Sequence, residues 1–481
     1  MIISAVVAFA LFGGFAPVTQ TAGHATSALT IAQRAHGTSA AEPFSISTRS
    51  AITPSTVANG VVYVGSFDGK VYALNASTGA KIWSYNVGGP TRLYGTNSPP
   101  AVAKGVVYVG SGEGSLYALK ASTGARIWNY RTGGGVYSSP AVVSGVVYVG
   151  SEDSTVHALK ASTGAKVWSY TTGGGIESSP AVVNGVVYVG SYDHKIYALK
   201  ASTGAKIWSY TTGGGIESSP AVVNGVVYVG SGDGNVYALK ASTGAKVWSY
   251  TTGNSVYSSP AVVNGVLYVG SCDHKVYALT ASTGARIWSY ATGGAVYSSP
   301  VVVNGVVYVG SWDHKVYALN ASTGAKSWSY WTRGRVNSSP SVVNGVVYVG
   351  PDQVGEPGNT SGGKVYALKA STGGKIWSYT TGAEVASSPA VVNGVVYVGS
   401  NDDKVYALSA STGAKAWSFE TSGPVDSSPA GGQRGGLCGL GRPQGVCPEG
   451  LDRGQGLELH HRKLRLLLTG GGQRCGVRRL V

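Results

Sequence analysis

The chain of 481 residues is poor in cysteine, methionine, phenylalanine and charge: it has four Cys, one Met, six Phe, and only 12% Asp, Glu, Lys and Arg. No two cysteines are adjacent, and Cys438, Cys447 and Cys475 all lie beyond residue 430, which leaves Cys272 alone in the body of the chain. A disulfide framework and a cysteine zinc site are thereby excluded from the fold's design. What the chain has instead is 73 Gly, 30 Tyr and 11 Trp, a composition of short strands joined by tight turns.

One long apolar run is present, Ile2 to Val18, interrupted by Gly13 and Gly14. Small residues near Ala25 and Ala28 suit signal cleavage, so residues 1–28 read as a signal peptide or N-terminal anchor and 29–51 as a linker. No Lys or Arg precedes the run, which keeps an uncleaved anchor and a mis-assigned start open, and the lack of Cys there argues against a lipidated form. The expected location is extracellular, cell-surface or periplasmic.

The formal net charge is +15, and residues 431–481 carry nine Lys and Arg against three Asp and Glu. Elsewhere much of the charge comes from one Lys or Arg per repeat, at Lys81, Arg126, Lys166, Lys206, Lys246, Arg286 and Lys326. Such spacing reads as a ring of single charges and not a cluster, so no nucleic-acid partner is expected.

The repeat is about 40 residues long. Between Ser218 and Tyr250 four β-rich runs are separated by Asn224-Gly225, Asp233-Gly234 and Thr243-Gly244, which makes each unit a four-stranded meander. Asn-Gly supplies positive φ at both centres of a two-residue hairpin, and the same logic is applied to Asp-Gly. A lone four-stranded sheet cannot bury both faces, whereas neighbours arranged radially can, and they also leave only short edges. The fold class is therefore all-β: a β-propeller of four-stranded antiparallel blades spanning residues 52–430.

The segment Ala238 to Trp248, with its Ala, Thr-Gly and Trp in order, resembles the tryptophan-docking motif of the PQQ-like, or quinoprotein, β-propeller repeat. The resemblance runs from residue 52 to about 423, and departs from the family in having Ala, as at Ala241, where Asp is common. It implies that Trp83, Trp128, Trp168, Trp208, Trp248, Trp288, Trp328, Trp377 and Trp417 wedge between adjacent blades. Eight blades are usual in the family, so eight is the expected number. Nine units are countable from these tryptophans, so nine closing blades, or eight with one left over, stay open.

The family includes PQQ-dependent alcohol dehydrogenases, which carry a vicinal Cys-Cys pair and a Ca²⁺ held by acidic and Asn side chains. This chain has no such Cys pair and no large catalytic insertion. The family also includes an assembly lipoprotein, whose lipidated Cys is absent here.

After Ala430 the repeat should continue Val-Val-Asn-Gly but reads Gly431-Gly432-Gln433-Arg434, and the same four residues return at 471–474. Codons of the form GGT-GGT-CAA-CGG encode Gly-Gly-Gln-Arg and, read one nucleotide later, Val-Val-Asn-Gly. Residues 455–462 can likewise be written in codons that shift to Lys-Val-Trp-Ser-Tyr-Thr-Thr-Gly. Residues 431–481 are thus read as a frame-shifted, disordered version of at least one further repeat.

Positions that differ between near-identical units are the ones the scaffold does not dictate. One set precedes each Ser-Ser-Pro: Tyr137, Glu177, Glu217, Tyr257, Tyr297 and Asn337, with Trp331, Arg333 and Arg335 nearby. These are expected to ring one mouth of the central channel as ligand-face loops. A second set lies in the turn after Gly-Ser and includes Tyr192-Asp193-His194, Cys272-Asp273-His274 and Trp312-Asp313-His314. Its Asp-His pairs look metal-like but fall on separate blades, so turn chemistry accounts for the Asp and no metal is expected.

No catalytic residue stands out. The resulting expectation is an exported, non-catalytic scaffold for a protein or glycan partner, touching a membrane only through an uncleaved N-terminal anchor. The alternative is a PQQ-dependent dehydrogenase, or a degenerate relative, using PQQ with Ca²⁺.

Overall fold

The computed structural model of the chain describes residues 57–88, 95–96, 98–352 and 362–426. The leader and linker expected over 1–51, and the tail from 431, lie outside the described residues.

Among the described residues every regular element is a strand, and the strands group into nine sheets. Blade five is representative, with strands Ala221–Val223, Val226–Gly230, Asn235–Lys240 and Lys246–Thr251. They pair antiparallel in sequence order, with Val223 opposite Val226, Tyr228 opposite Ala238 and Ala238 opposite Trp248. Eight sheets have four strands; blade one shows three, Val61–Gly65, Lys70–Asn75 and Lys81–Asn86. There Ala58 bridges Val61 where other blades pair their first strand.

The turn glycines explain the meander. Asn224 and Gly225 have φ of 49° and 75°, as a two-residue hairpin with both centres left-handed requires. The second turn differs from the expected Asp-Gly hairpin. Only Gly234 is left-handed, at φ 83°, and Ser231 N donates to Asn235 O across three intervening residues. Asp233 is not left-handed; Gly234 N donates to Ser231 O at 3.1 Å and Asp233 Oδ1 accepts from Asn235 N at 2.9 Å, so the side chain and the left-handed Gly close the turn together.

First strands of successive blades lie side by side from blade two to blade nine and line the channel. A belt of serines ties them together. Ser139, Ser179, Ser219, Ser259 and Ser299 each donate a backbone N–H to the Oγ of the second Ser-Ser serine one blade on, at 3.0–3.2 Å. The first serine pins its own blade, as when Ser138 Oγ accepts from Gly150 N at 2.8 Å and donates to Gly150 O at 2.9 Å.

The core consists of layers between blades. Tyr228, Val236, Ala238 and Trp248 of blade five pack against Leu267, Val269, Tyr277 and Leu279 of blade six. Second and third strands are buried on both faces, so they read as nearly continuous apolar runs; on the outer strand only Trp is buried. Each docking Trp donates its indole N–H to the carbonyl of an Ala one blade ahead, as Trp208 does to Ala241 at 2.9 Å, and Tyr188 O–H donates to the same oxygen at 3.1 Å. A backbone oxygen is the acceptor, so Ala241 in place of Asp removes nothing from this link. The indole lies on the following Thr-Gly turn, where a Cβ on Gly244 (φ 71°) would stand 2.6 Å from the Trp208 ring.

The same joint closes the ring. Trp417 Nε1 and Tyr397 O–H donate to Ala76 O at 2.9 and 3.0 Å, and Trp417, Tyr397 and Val425 share a core with Val62, Val64 and Leu74. Of the blade numbers left open by the sequence, nine is the one that closes among the described residues.

Candidate functional site at the channel mouth

An antiparallel meander puts its second turn and its exit to the next blade at the same end. The two variable sets are therefore one structure. Tyr192 N donates to Gly175 O at 3.0 Å, and Ile216 N to Ser191 O at 3.1 Å, so each second turn is sewn to the segments before and after its blade. Side chains then meet across blades. Glu152 is hydrogen-bonded to Glu177, Tyr192 to Glu217, Cys272 to Tyr297 and Trp312 to Asn337.

Sequence reading missed Glu152, Tyr192, Cys272 and Trp312 as members of the site because it treated the turns as self-contained. The signal was there: each partner follows at a constant offset of 25 residues, as for Trp312 and Asn337.

Blades five to eight contribute an aromatic arc. Tyr257 stacks on Tyr297 with centroids 5.9 Å apart and planes at 9°, and Tyr297 on Trp312 at 4.4 Å and 26°. The Arg335 guanidinium covers the other end, 4.6 Å from the Trp312 ring centre. Trp312 Nε1 donates to Asn337 Oδ1, Asn337 Nδ2 donates to Asp352 Oδ2 at 2.9 Å, and Asp352 N donates to Arg335 O at 2.6 Å, a chain of bonds that ties the Trp312 ring to the Arg335 backbone. Trp331 does not join it. It ends the outer strand Lys326–Trp331, is 56% exposed, and has Arg333 5.6 Å from its ring.

Blades two to five contribute an acidic arc. A recess of about 470 Å³ is lined by Glu113, Tyr137 and Glu152 over the bare backbone of Gly112 and Gly133 to Gly135. Glu177 is buried beside it. Burial raises the Glu152 carboxyl against a hydrogen bond with Glu177 that lowers it. Burial pushes Glu217 up to about 7, although its bond to Tyr192 opposes this. In the neighbouring blades burial lifts the Cys272 thiol to about 11 and raises the Tyr297 phenol.

The turn aspartates are committed to the fold. Asp193 Oδ1 accepts from Lys195 N at 3.0 Å, and its Oδ2 accepts from Tyr197 O–H at 2.5 Å and from Gly173 N at 2.8 Å. His194, His274 and His314 occupy the left-handed position of their turns, at φ of 68–69°. Among the described residues no three of His, Cys, Asp and Glu converge as metal ligands. A Ca²⁺-bound quinone does not fit this donor set: Glu152 bonds Glu177, Glu217 bonds Tyr192, Asn401 donates to Glu384 and Asn337 to Asp352, and the turn aspartates accept backbone N–H groups, so these carboxylates do not converge on one point.

A family model described as outer membrane protein assembly factor BamB, of the PQQ-like repeat type, matches residues 28–95, 68–177 and 332–434, together over half of the chain. The chain belongs to the PQQ-like β-propeller repeat family. A model of the β-propeller of beta-alanine-activating enzyme also matches this family member, over residues 143–307. No curated protein matches it. The crystal structure of BamB from Moraxella catarrhalis is 22% identical with a TM-score of 0.52, the match covering 63% of this chain and 93% of that one. The computationally designed Ika8 protein is 17% identical with a TM-score of 0.51, covering 67% and 96%. A europium-containing methanol dehydrogenase is 16% identical with a TM-score of 0.49, covering 60% and 79%. At these identities the first two likenesses show the propeller fold alone.

Proposed function

We propose that this PQQ-like propeller is an exported, non-catalytic scaffold whose channel mouth binds a protein or glycan partner outside the cytoplasm. The observation that carries the reading is the asymmetry of the mouth. Units that are nearly identical elsewhere diverge there into an acidic arc and the column Tyr257, Tyr297, Trp312 and Arg335. Half-buried rings held in register suit a sugar face or an aliphatic or aromatic side chain, and the carboxylates of the adjoining arc suit hydroxyls or cations. The family description, an assembly factor for outer membrane proteins, supports a protein partner.

The test is binding of the purified chain to arrays of glycans and of extended peptides, alongside the double variant Tyr297→Ala, Trp312→Ala. Ligands held by the native mouth and lost by the variant are expected. Equal binding by both would reject the mouth as the site. Turnover of an alcohol with PQQ, Ca²⁺ and a dye acceptor would replace the scaffold reading with a dehydrogenase.

A further inference from the structure

Charge is divided between the two ends of the ring. Every Asp and Glu among the described residues lies in a second turn, at a strand end beside it, or in the exit to the next blade, all at the mouth end. Four cations at that end have carboxylates next to them: Lys70, Lys195, Lys275 and Lys315 stand 3.2–3.8 Å from their turn aspartates.

The other end carries the Asn-Gly and Thr-Gly turns, which are hydrogen-bonded together, as in Ala161 N to Gly145 O at 2.9 Å. Here each of the nine outer strands begins with Lys or Arg, from Lys81 and Arg126 round to Lys415. Five third strands end in Lys: Lys120, Lys160, Lys200, Lys240 and Lys369. Lys104 adds a cation in the first turn of blade two. No carboxylate among the described residues accompanies them. The ring of single charges read from the sequence is thus a one-signed end of the molecule.

A second feature shares the level of those cations. The residue after the outer-strand Lys or Arg is aliphatic and 37–44% exposed in seven blades, among them Ile82, Val167, Ile207 and Ile287. A nucleic acid would use the cations and leave these side chains without a role. A bilayer uses both, since anionic headgroups meet the ammonium and guanidinium groups while aliphatic side chains enter the boundary beneath.

We propose that the end of the propeller opposite the mouth docks on an anionic lipid surface, leaving the mouth directed away from it. This interaction is separate from the partner proposed for the mouth.

The repeat itself supplies a conservative test. Where five blades have Lys120, Lys160, Lys200, Lys240 and Lys369, the other four have Asn75, Thr280, Asn320 and Ser409, and Asn320 Oδ1 there accepts from Ser322 N at 3.0 Å. The substitutions Lys120→Asn, Lys160→Asn, Lys200→Asn and Lys240→Asn therefore keep a residue the turn already accepts. A control variant removes four mouth-end cations, Lys70, Lys195, Lys315 and Lys404, as Gln. Co-sedimentation of the full chain is measured with vesicles of phosphatidylcholine alone and with about 40% phosphatidylglycerol.

Binding at least about tenfold tighter to the anionic vesicles is expected, weakened by added salt. The first variant should lose about tenfold or more of that binding, and the control little. No preference for anionic vesicles, or equal loss in both variants, would overturn the proposal. So would tighter binding to a DNA duplex that is lost in the same rim variant, which would assign the end to nucleic acid.

Discussion

Trp417 donates its indole N–H to the carbonyl of Ala76, 341 residues earlier and 2.9 Å away. This joint repeats the geometry of the other eight, so the seam between the last and first blades should be as strong as any. Trp417→Ala is expected to cost about 3–5 kcal/mol, as Trp248→Ala should within the array. Urea unfolding of both variants checks this. A near-neutral Trp417→Ala beside a damaging Trp248→Ala would mean that the array is open in solution.

Much of this was legible beforehand. The 40-residue period, the Asn-Gly turn and the docking tryptophans follow from local chemistry that each unit repeats. Blade number was not legible, because closure depends on the angle between neighbours, which no single residue encodes. The serine belt was hidden for a related reason: Ser179 and Ser219 look like turn residues until two blades stand side by side. The charge division was equally unreadable until the meander fixed which turns share an end.

Ser219→Ala removes the acceptor of Ser179 N, which sits in the buried channel wall. A cost of about 1–3 kcal/mol is expected, that of a buried donor left unmet. Hydrogen exchange locates it: the Ser179 amide should exchange faster, while amides of distant blades keep their rates. Unchanged protection at Ser179 would remove the belt from the account of stability.

Asp233 ties three groups, accepting from Asn235 N, Tyr237 O–H and Gly213 N at 2.9, 2.7 and 2.6 Å. Burial works to raise its carboxyl, but these bonds outweigh it and hold the pKa below the ordinary value; Asp273 behaves alike. A depressed folded pKa means stability is present above the unfolded value and lost as pH falls through the folded one. The melting temperature should therefore drop below about pH 4, and Asp233→Ala should mimic part of that drop at neutral pH. EDTA should leave melting unchanged; a fall would return the turns to metal binding.

His157 replaces the Tyr that the other eight blades carry at this position, such as Tyr197. Its Nε2 lies 3.0 Å from Asp153 Oδ2, and its buried Nδ1 has no hydrogen-bond partner. Burial lowers its pKa despite the neighbouring carboxylate. The unfolded chain then binds the proton more readily, so stability declines as pH falls below about 6.5. His157→Tyr should stabilise by about 1–2 kcal/mol and flatten this slope. Thermal melts at pH 5 and pH 8 check both effects.

Glu217 gives the opposite sign. Its carboxyl is held up to about 7 by burial at the mouth, against an ordinary value of 4.5. Between those values the folded protein keeps a proton that the unfolded chain has released, so stability falls as pH rises across the window, by at most about 3 kcal/mol. Glu217→Gln should remove the fall and leave the pH 5 stability nearly unchanged, because Gln imitates the protonated acid. The charge that appears near pH 7 faces Tyr257, Cys272 and Tyr297. A cationic ligand at the mouth should therefore bind more tightly at pH 8 than at pH 6 and release a proton on binding at pH 6. Calorimetry in buffers of different ionisation enthalpy measures that proton directly, and its absence from Glu217→Gln assigns it to this carboxyl.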